Sequence, residues 1–459
     1  MGKKAIFLIC SFMLLLSGFS GCKQSGEVRL ITLDPGHFHA ALVQKISYPQ
    51  VSNDVYVYAP EGDDLQEHLK KIDACNTRED SPTQWKEIVY TGDDFLEKML
   101  REKKGNVMVT AGNNGKKTEY ILKTLQAGIN VLADKPMVIV PENFDMLKSC
   151  FDVAKEKNVL LYDIMTERYE ITTQLQREFS MQEEIFGKLE KGTPENPAVT
   201  KESVHHFFKT VSDKPLIRPA WFFDVDQQGE GIVDVTTHLV DLVQWECFPE
   251  QILDYTKDIE LITAKRWTTS VDFPQFVQAT GLNSYPDYLK KALVKDTLQV
   301  YSNGEIIYRI KGINAKVSVI WNYSPPPGGG DTHYSIMRGT KVNLIIRQGI
   351  EQQYSPVLYI EIPESVDLEK ATADLVKNFP NVEQKYPGIA LKQVSDRVWE
   401  VQVPKEYHNG HEAHFGQVTE KFLQYLKDKK LPDWEVPNMI AKYYTTTQAL
   451  KLAKSANIN

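Results

Sequence analysis

Asn106-Val107-Met108-Val109-Thr110, then Thr118 to Ala127, then Gly128-Ile129-Asn130-Val131-Leu132-Ala133-Asp134-Lys135-Pro136: the reading of this stretch decides the fold. Val107 to Thr110 is a short, mostly apolar run with β-branched residues, the pattern of a buried strand. Thr118 to Ala127 has helical spacing and stops at Gly128, a residue suited to the left-handed turn after a helix. Asn130 to Ala133 is a second strand. The alternation continues in both directions. Val28-Arg29-Leu30-Ile31-Thr32-Leu33 reads as a strand broken by Asp34-Pro35-Gly36, and His37 to Ile46 as a helix through Phe38, Leu42 and Ile46. Val55 to Tyr58 is a strand, Phe95 to Arg101 and Phe144 to Glu156 are helices, and Val159 to Tyr162 is a further strand. Strands alternating with helices predict an α/β class, with a Rossmann-like parallel sheet wound on both faces. Ligands of such sheets bind beyond the carboxyl ends of the strands, here the loops Asp34–His39, Ala111–Lys117 and Asp134–Pro136.

A chain of 459 residues exceeds one ordinary domain, and two are expected: residues 28–165 for the wound sheet and 166–459 for the remainder. A formal charge of -8 without a Lys/Arg run argues against a nucleic-acid surface. Lys3 and Lys4 precede an apolar run, Ala5 to Leu16, that is short for a bilayer. Gly18-Phe19-Ser20-Gly21-Cys22 then resembles a bacterial lipoprotein signal, with Cys22 as the lipidated residue and 22–27 as a tether. An ordinary secretory signal is the other reading. Both predict export, and the first predicts a lipid anchor on a periplasm-facing membrane. Cys75, Cys150 and Cys247 remain after Cys10 and Cys22, as buried thiols or with one disulfide, and at no zinc-motif spacing.

Gly229-Glu230-Gly231-Ile232-Val233-Asp234-Val235-Thr236-Thr237-His238-Leu239-Val240-Asp241 follows in the second part. Read as a helix, it places Asp234, His238 and Asp241 along one face. A carboxylate beside an imidazole raises its basicity, which suits proton transfer. The plainer reading is a helix start with a surface ion pair.

The second part carries Arg218, Trp221, Phe222 and Phe223 ahead of that stretch, aromatic faces suited to sugar rings or to ordinary core packing. After Cys247, Ile259–Trp267, Lys295–Asn303, Glu305–Ile310, Lys316–Tyr323 and Lys341–Gln348 read as strands. They predict a C-terminal α+β domain with a large, mostly antiparallel, open-faced sheet. Asp331, Thr332 and His333 follow the loop Pro325 to Gly330 near an expected site mouth. His408, His411, Glu412 and His414 include metal-ligating side chains, but Gly410 interrupts them and their spacing matches no established metal motif, so no metal is expected.

Ala127 to Pro136 resembles the A-G-x-x-V-x-x-E-K-P stretch of the glucose–fructose oxidoreductase/inositol dehydrogenase/MocA family, with Asp134 in place of Glu. Gly229 to Asp241 resembles that family's G-G-G-x-x-x-D-x-G-x-H-x-x-D, and the Asp34–His39 loop with the long C-terminal half resembles its exported lipoprotein branch. The resemblance implies a nicotinamide-dependent oxidoreductase, with NAD or NADP tightly held by Gly36, His37, Phe38, His39, Asn113, Asn114, Asp134, Lys135 and Pro136. It implies His238 as base, Asp234 orienting it, and Lys135 facing the reacting oxygen. Arg168, Trp221, Asp241, His333, His411 and His414 become the candidate substrate contacts for a sugar or glycoside. A homodimer through the open sheet face is a family expectation. Two departures stand out: Lys117 occupies the place of a family His, and only Gly36 remains of the glycine fingerprint G-x-G-x-x-G that lets bare backbone approach a pyrophosphate. Related readings are a nicotinamide-dependent glycosidase acting by transient oxidation and elimination, and a sugar-binding lipoprotein without catalysis.

Overall fold

The computed structural model describes residues 27–211 and 214–456; the signal segment and Cys22 lie outside the described residues. The chain opens with β1 Leu30–Leu33, α1 His39–Leu42, β2 Asp54–Ala59, α2 Asp63–Thr77, β3 Lys86–Thr91, α3 Phe95–Glu102, β4 Val107–Thr110, α4 Asn114–Gln126, β5 Asn130–Asp134, α5 Phe144–Lys157 and β6 Leu161–Ile164. The six strands form one sheet in the order β3-β2-β1-β4-β5-β6, and every pairing is parallel. The order reverses between β1 and β4, so a crevice opens beyond their carboxyl ends.

Three elements of this half differ from the sequence reading. The helix expected over His37–Ile46 is the single turn α1, and Ala40, Ala41, Gln44 and Lys45 donate to carbonyls only three residues back. All four residues of that turn are buried, without the exposed face that lengthens an amphipathic helix. Conversely, α2 and β3 were not anticipated. α2 buries only Leu65, His68 and Ile72, and β3 is an edge strand with Ile88 and Val89 exposed, so neither shows a strong apolar period.

The second half runs α6 Ile171–Ser180, α7 Glu183–Phe186, β7 Val199–His206, β8 Thr210–Val211, β9 Lys214–Pro215, α8 Val225–Gln228, α9 Thr236–Cys247, α10 Tyr255–Asp258 and β10 Ile259–Val271. It continues through α11 Phe273–Thr280, β11 Leu293–Val294, β12 Thr297–Ile310, β13 Ile313–Asn322, β14 Thr332–Arg338, β15 Asn343–Gln348, β16 Val357–Glu361, α12 Leu368–Glu383, β17 Ala390–Ser395, β18 Val398–Gln402, α13 His411–Asp428 and α14 Glu435–Ala456. The large sheet runs β10-β12-β13-β7-β14-β15-β16-β18-β17 with β11 beside β12; β13 and β7 are parallel and the other pairings antiparallel. Alternating burial along β12 gives this sheet one covered face. Leu175 of α6 and Leu239 and Val243 of α9 pack there against Ile306, Val317, Leu344 and Ile360. Cys75, Cys150 and Cys247 are free thiols. No helix among the described residues is long and apolar enough to cross a membrane.

The two sheets divide the chain near residue 165, but the core of the first sheet also takes in the last two helices. Phe415, Val418, Phe422 and Leu423 of α13 and Tyr443 of α14 belong to the core of the first sheet, with Leu30, Val131 and Tyr162. A buried ion network reinforces this return. Arg168 follows β6 and donates from Nε and Nη2 to Asp241 of α9, both at 2.7 Å, and from Nη1 to Glu435 of α14 at 3.0 Å. Lys442 Nζ of α14 lies 2.9 Å from Asp241 and 2.6 Å from Asp163 of β6, and all these side chains are buried. Arg168 and Asp241, expected to touch substrate, therefore spend their hydrogen-bonding capacity on each other and on α14. Burial alone would raise the Asp241 carboxyl, but Arg168 and Lys442 together hold it well below the usual carboxylate range.

Removing one partner leaves the others buried and uncompensated. Arg168→Met is expected to cost about 3–5 kcal/mol in denaturant unfolding. A depressed folded-state carboxyl contributes stability that is complete above its unfolded value of about 3.9 and lost as pH falls through the folded value. The stability gap between wild type and Asp241→Asn is therefore expected to be full at neutral pH and to shrink in acid, read from unfolding curves at a series of pH values.

Candidate active site

The site is built where three strand ends meet α9. After β5, Asp134 and Lys135 leave the sheet and the Lys135–Pro136 bond is cis. Lys135 Nζ donates to Asp234 Oδ1 at 2.7 Å, and Gln228 Nε2 donates to Asp234 Oδ2 at 3.0 Å. The orienting role expected of Asp234 toward His238 is thus not what the structure shows: its two oxygens serve Lys135 and Gln228. The physical reason is local. Asp234 precedes α9, and Thr237 and His238 donate to carbonyls three residues back, so the two side chains do not stack as in a continuous helix. His238 is 9% exposed and its Nδ1 is buried without a partner. Burial, followed by the charge of Lys135, holds its imidazole well below the ordinary value, disfavouring the charged form.

The loop after β1 replaces the glycine fingerprint. Asp34 takes a left-handed φ of 47°, and its Oδ2 accepts from Tyr120 of α4 at 2.9 Å. Burial raises its carboxyl. The amides of Gly36 and His37 both donate to Ala111 O, at 3.1 and 3.0 Å. Close approach explains two glycines. A Cβ on Gly112 would sit 2.4 Å from Asp34 O, and one on Gly36 would sit 3.0 Å from Asp64 Oδ2 and 3.2 Å from Trp221 Cζ2. Trp221 is not a free aromatic face for a sugar. Its ring lies over Gly36 and its Nε1 donates to Asp64 Oδ2 at 2.9 Å. That contact crosses from the second half of the chain to the start of α2.

His37 and His39 turn toward Asp134: His39 Nδ1 lies 3.0 Å and His37 Nδ1 3.9 Å from Asp134 Oδ2. Burial lowers both imidazoles well below their ordinary value. Phe38 is 36% exposed and packs its ring beside both histidines. The start of α13 brings His411 to within 5.4 Å of His39, ring centre to ring centre. His414, one turn on, is buried in α13 and has no contact of this kind. His333 sits on β14 opposite Ser203 and Gln348, with no contact to Lys135 or His238 among the described residues.

After β4, Asn113 caps α4 by accepting from Gly115 N at 3.0 Å, while its amide donates to Gln227 Oε1. Asn114 Nδ2 donates to Gln228 O at 2.7 Å. These two expected cofactor contacts therefore tie α4 to α8. Lys117 Nζ donates to Asn114 Oδ1 and to Asp134 O at 2.9 Å, and burial lowers its ammonium to about 8. The sheet supplies two polar residues that the sequence reading missed, His206 and Lys209, beside Asp331 and Arg218, which it had named. His206 Nδ1 lies 2.9 Å and Lys209 Nζ 2.5 Å from Asp331, while Arg218 donates to the carbonyls of His206 and Phe207. Adjacent histidines at a strand's end were the available signal.

Two cavities flank the Gly36 loop. One of about 170 Å³ is lined by Asp34, Pro35, Ala59, Glu61, Asp63 and Asp64, beyond β1 and β2. A smaller one is lined by His37, Gly112, Asn114, Lys135, Gln228 and Asp234. Gln228 Oε1 is a buried acceptor without a partner, as His238 Nδ1 is. Orphaned polar atoms and a carboxylate-rimmed cavity fit the two ends of a dinucleotide: an amide and hydroxyls at one, a ribose diol at the other.

Comparison with known proteins agrees with this geometry. The sequence profile of the oxidoreductase family with an NAD-binding Rossmann fold matches residues 62–163, and that of an oxidoreductase C-terminal domain matches residues 175–454. The crystal structure of a protein from Parabacteroides merdae assigned as an oxidoreductase is 66% identical, covers 94% of this chain and 98% of its own, and superposes with a TM-score of 0.93. Levoglucosan dehydrogenase in complex with NADH and L-sorbose is 11% identical over 94% of this chain and 97% of its own, with a TM-score of 0.59. Biliverdin reductase from Synechocystis is 11% identical over 93% and 99%, with a TM-score of 0.55, and these two share the fold. No curated protein matches the chain. The chain belongs to the glucose–fructose oxidoreductase/inositol dehydrogenase/MocA family of NAD(P)-binding oxidoreductases.

Proposed function

We propose that the chain is an exported dehydrogenase, lipid-anchored at Cys22, that oxidises a ring hydroxyl of a sugar or glycoside with a tightly held NAD. The observation that carries this reading is the contact of Lys135 with Asp234 at the end of β5, with the unpartnered imidazole of His238 one turn along the chain. Bound nicotinamide supplies the hydride acceptor. His238 takes the hydroxyl proton, Lys135 steadies the oxyanion that develops, and Asp234 fixes the Lys135 ammonium. The product is a ketone at the oxidised ring carbon. His206, Lys209 and Asp331 supply donors and acceptors of the kind that sugar hydroxyls need. The likeness in fold to levoglucosan dehydrogenase, in its complex with NADH and L-sorbose, supports a carbohydrate substrate. Asp34, Glu61, Asp63 and Asp64 around the larger cavity favour a ribose diol and repel a 2′-phosphate, which selects NAD over NADP. A second copy of the chain pairs through the open face of the large sheet.

Denaturing the purified protein and analysing the released small molecules by mass spectrometry is expected to give NAD. On a panel of glycosides, absorbance near 340 nm is expected to rise. His238→Ala and Lys135→Met should each lower kcat by about 10²–10⁴-fold while nucleotide remains bound. Titration should give tighter binding of NAD than of NADP, and charge reversal at Asp64 should narrow the difference. Sugar binding unchanged in both variants, with no turnover by wild type, would leave a binding protein instead.

A further inference from the structure

We infer that His37, His39 and Asp134 are the ligands of a divalent transition-metal site, with His411 placed to join as a fourth. Among the described residues these three form the one group of at least three metal-ligating side chains whose donor atoms all lie within 4.8 Å of one another. Both Nδ1 atoms face a single carboxylate oxygen, at 3.0 and 3.9 Å. A tetrahedral zinc with bonds of about 2.0–2.2 Å holds its ligand atoms roughly 3.4 Å apart. The observed spacings bracket that value, so small side-chain rotations would close the shell. Two imidazoles and one carboxylate form a ligand set used by catalytic zinc and by non-haem iron, both of which leave positions open for an outside oxygen.

The surroundings also suit a cation. His39 and Asp134 are buried, 7% and 4% exposed, and the Asp134 backbone carbonyl is held by Lys117 Nζ. Such outer contacts fix the orientation of a ligand. The ammonium groups of Lys117 and Lys135 each lie against a residue of the acidic pair Asp134 and Asp234, which offsets their charge near the site. His37 lines the same small cavity as Lys135 and Asp234, and Asp134 lines it with them. The open coordination positions therefore face the small cavity beside Lys135, where the metal would act as a Lewis acid. The two histidines also stand in the loop where bare glycine amides would serve an anion, and those amides are engaged by Ala111 O.

The test uses the purified full chain without a histidine tag, stripped with a chelator and then loaded with Zn²⁺ or Co²⁺. One equivalent per chain is expected by elemental analysis, with visible d–d absorption for Co²⁺. His39→Ala and Asp134→Asn should each weaken binding by more than about 100-fold, beyond the range that loss of an outer contact reaches. His408→Ala and His414→Ala should leave it unchanged. X-ray absorption at the zinc edge of wild type, which needs no variant to fold, should show two or three imidazole ligands. Failure of wild type to retain a stoichiometric ion, a shell without imidazole, or equal binding by His39→Ala and Asp134→Asn would each overturn the assignment. Because every readout concerns the metal alone, this result is separable from failure of the dehydrogenase reading.

Discussion

The placement of every candidate catalytic group depends on the buried contact between Arg168 and Asp241. Asp241 lies one turn beyond His238 on α9, and Arg168 directly follows the last strand of the first sheet. Through Lys442 and Asp163 the same carboxylate is tied to β6, and through Glu435 the guanidinium is tied to α14. Taking so many charges out of water is costly, and the cost is offset only when geometry and hydrogen bonds are complete. The arrangement consequently tolerates one relative position of α9 and the sheet. That position brings Asp234 to Lys135 across two halves of the chain. Packing by Leu239 and Val243 would hold α9 against its own sheet, but apolar contacts alone would permit sliding.

The crevice is shaped as much by what fills it as by what lines it. Trp221 reaches from the second half onto Gly36 and closes on Asp64, while Ala111 takes the loop's two amides. A loop built on glycine would offer its backbone to a ligand; this one offers imidazoles. Recognition has thus moved from main-chain donors, which any glycine-rich turn provides, to side chains that require particular neighbours such as Asp134. Asn113 and Asn114 have likewise become joints between α4 and α8.

The sheet around Val107–Thr110 and Asn130–Asp134 was legible because central parallel strands are apolar throughout and are punctuated by glycine. Lys86–Thr91 was not, because an edge strand with one wet face carries charged residues. Lys135 and His238 were legible as a pair through spacing and resemblance. The partner of Asp234 was not, since an interval of four residues implies contact only if the helix is already continuous at its first residue. Arg168 and Asp241 were misplaced for a related reason: charged residues near a catalytic stretch look alike in sequence whether they face a ligand or Lys442 and Glu435. The grouping of His37, His39 and Asp134 joins residues almost a hundred positions apart and depends on the abrupt turn at α1.

The return of α13 and α14 to the first sheet has a consequence for how the protein is made. Strands β1 to β6 leave the ribosome long before Phe415, Phe422 and Tyr443, yet share a core with them. Until those late residues arrive, part of the core of an apolar parallel sheet has no cover, and the charges of Asp163 and Arg168 have no Lys442 or Glu435. The nascent chain therefore carries sticky surface through most of its synthesis, which favours holding by chaperones and closure in a single late step.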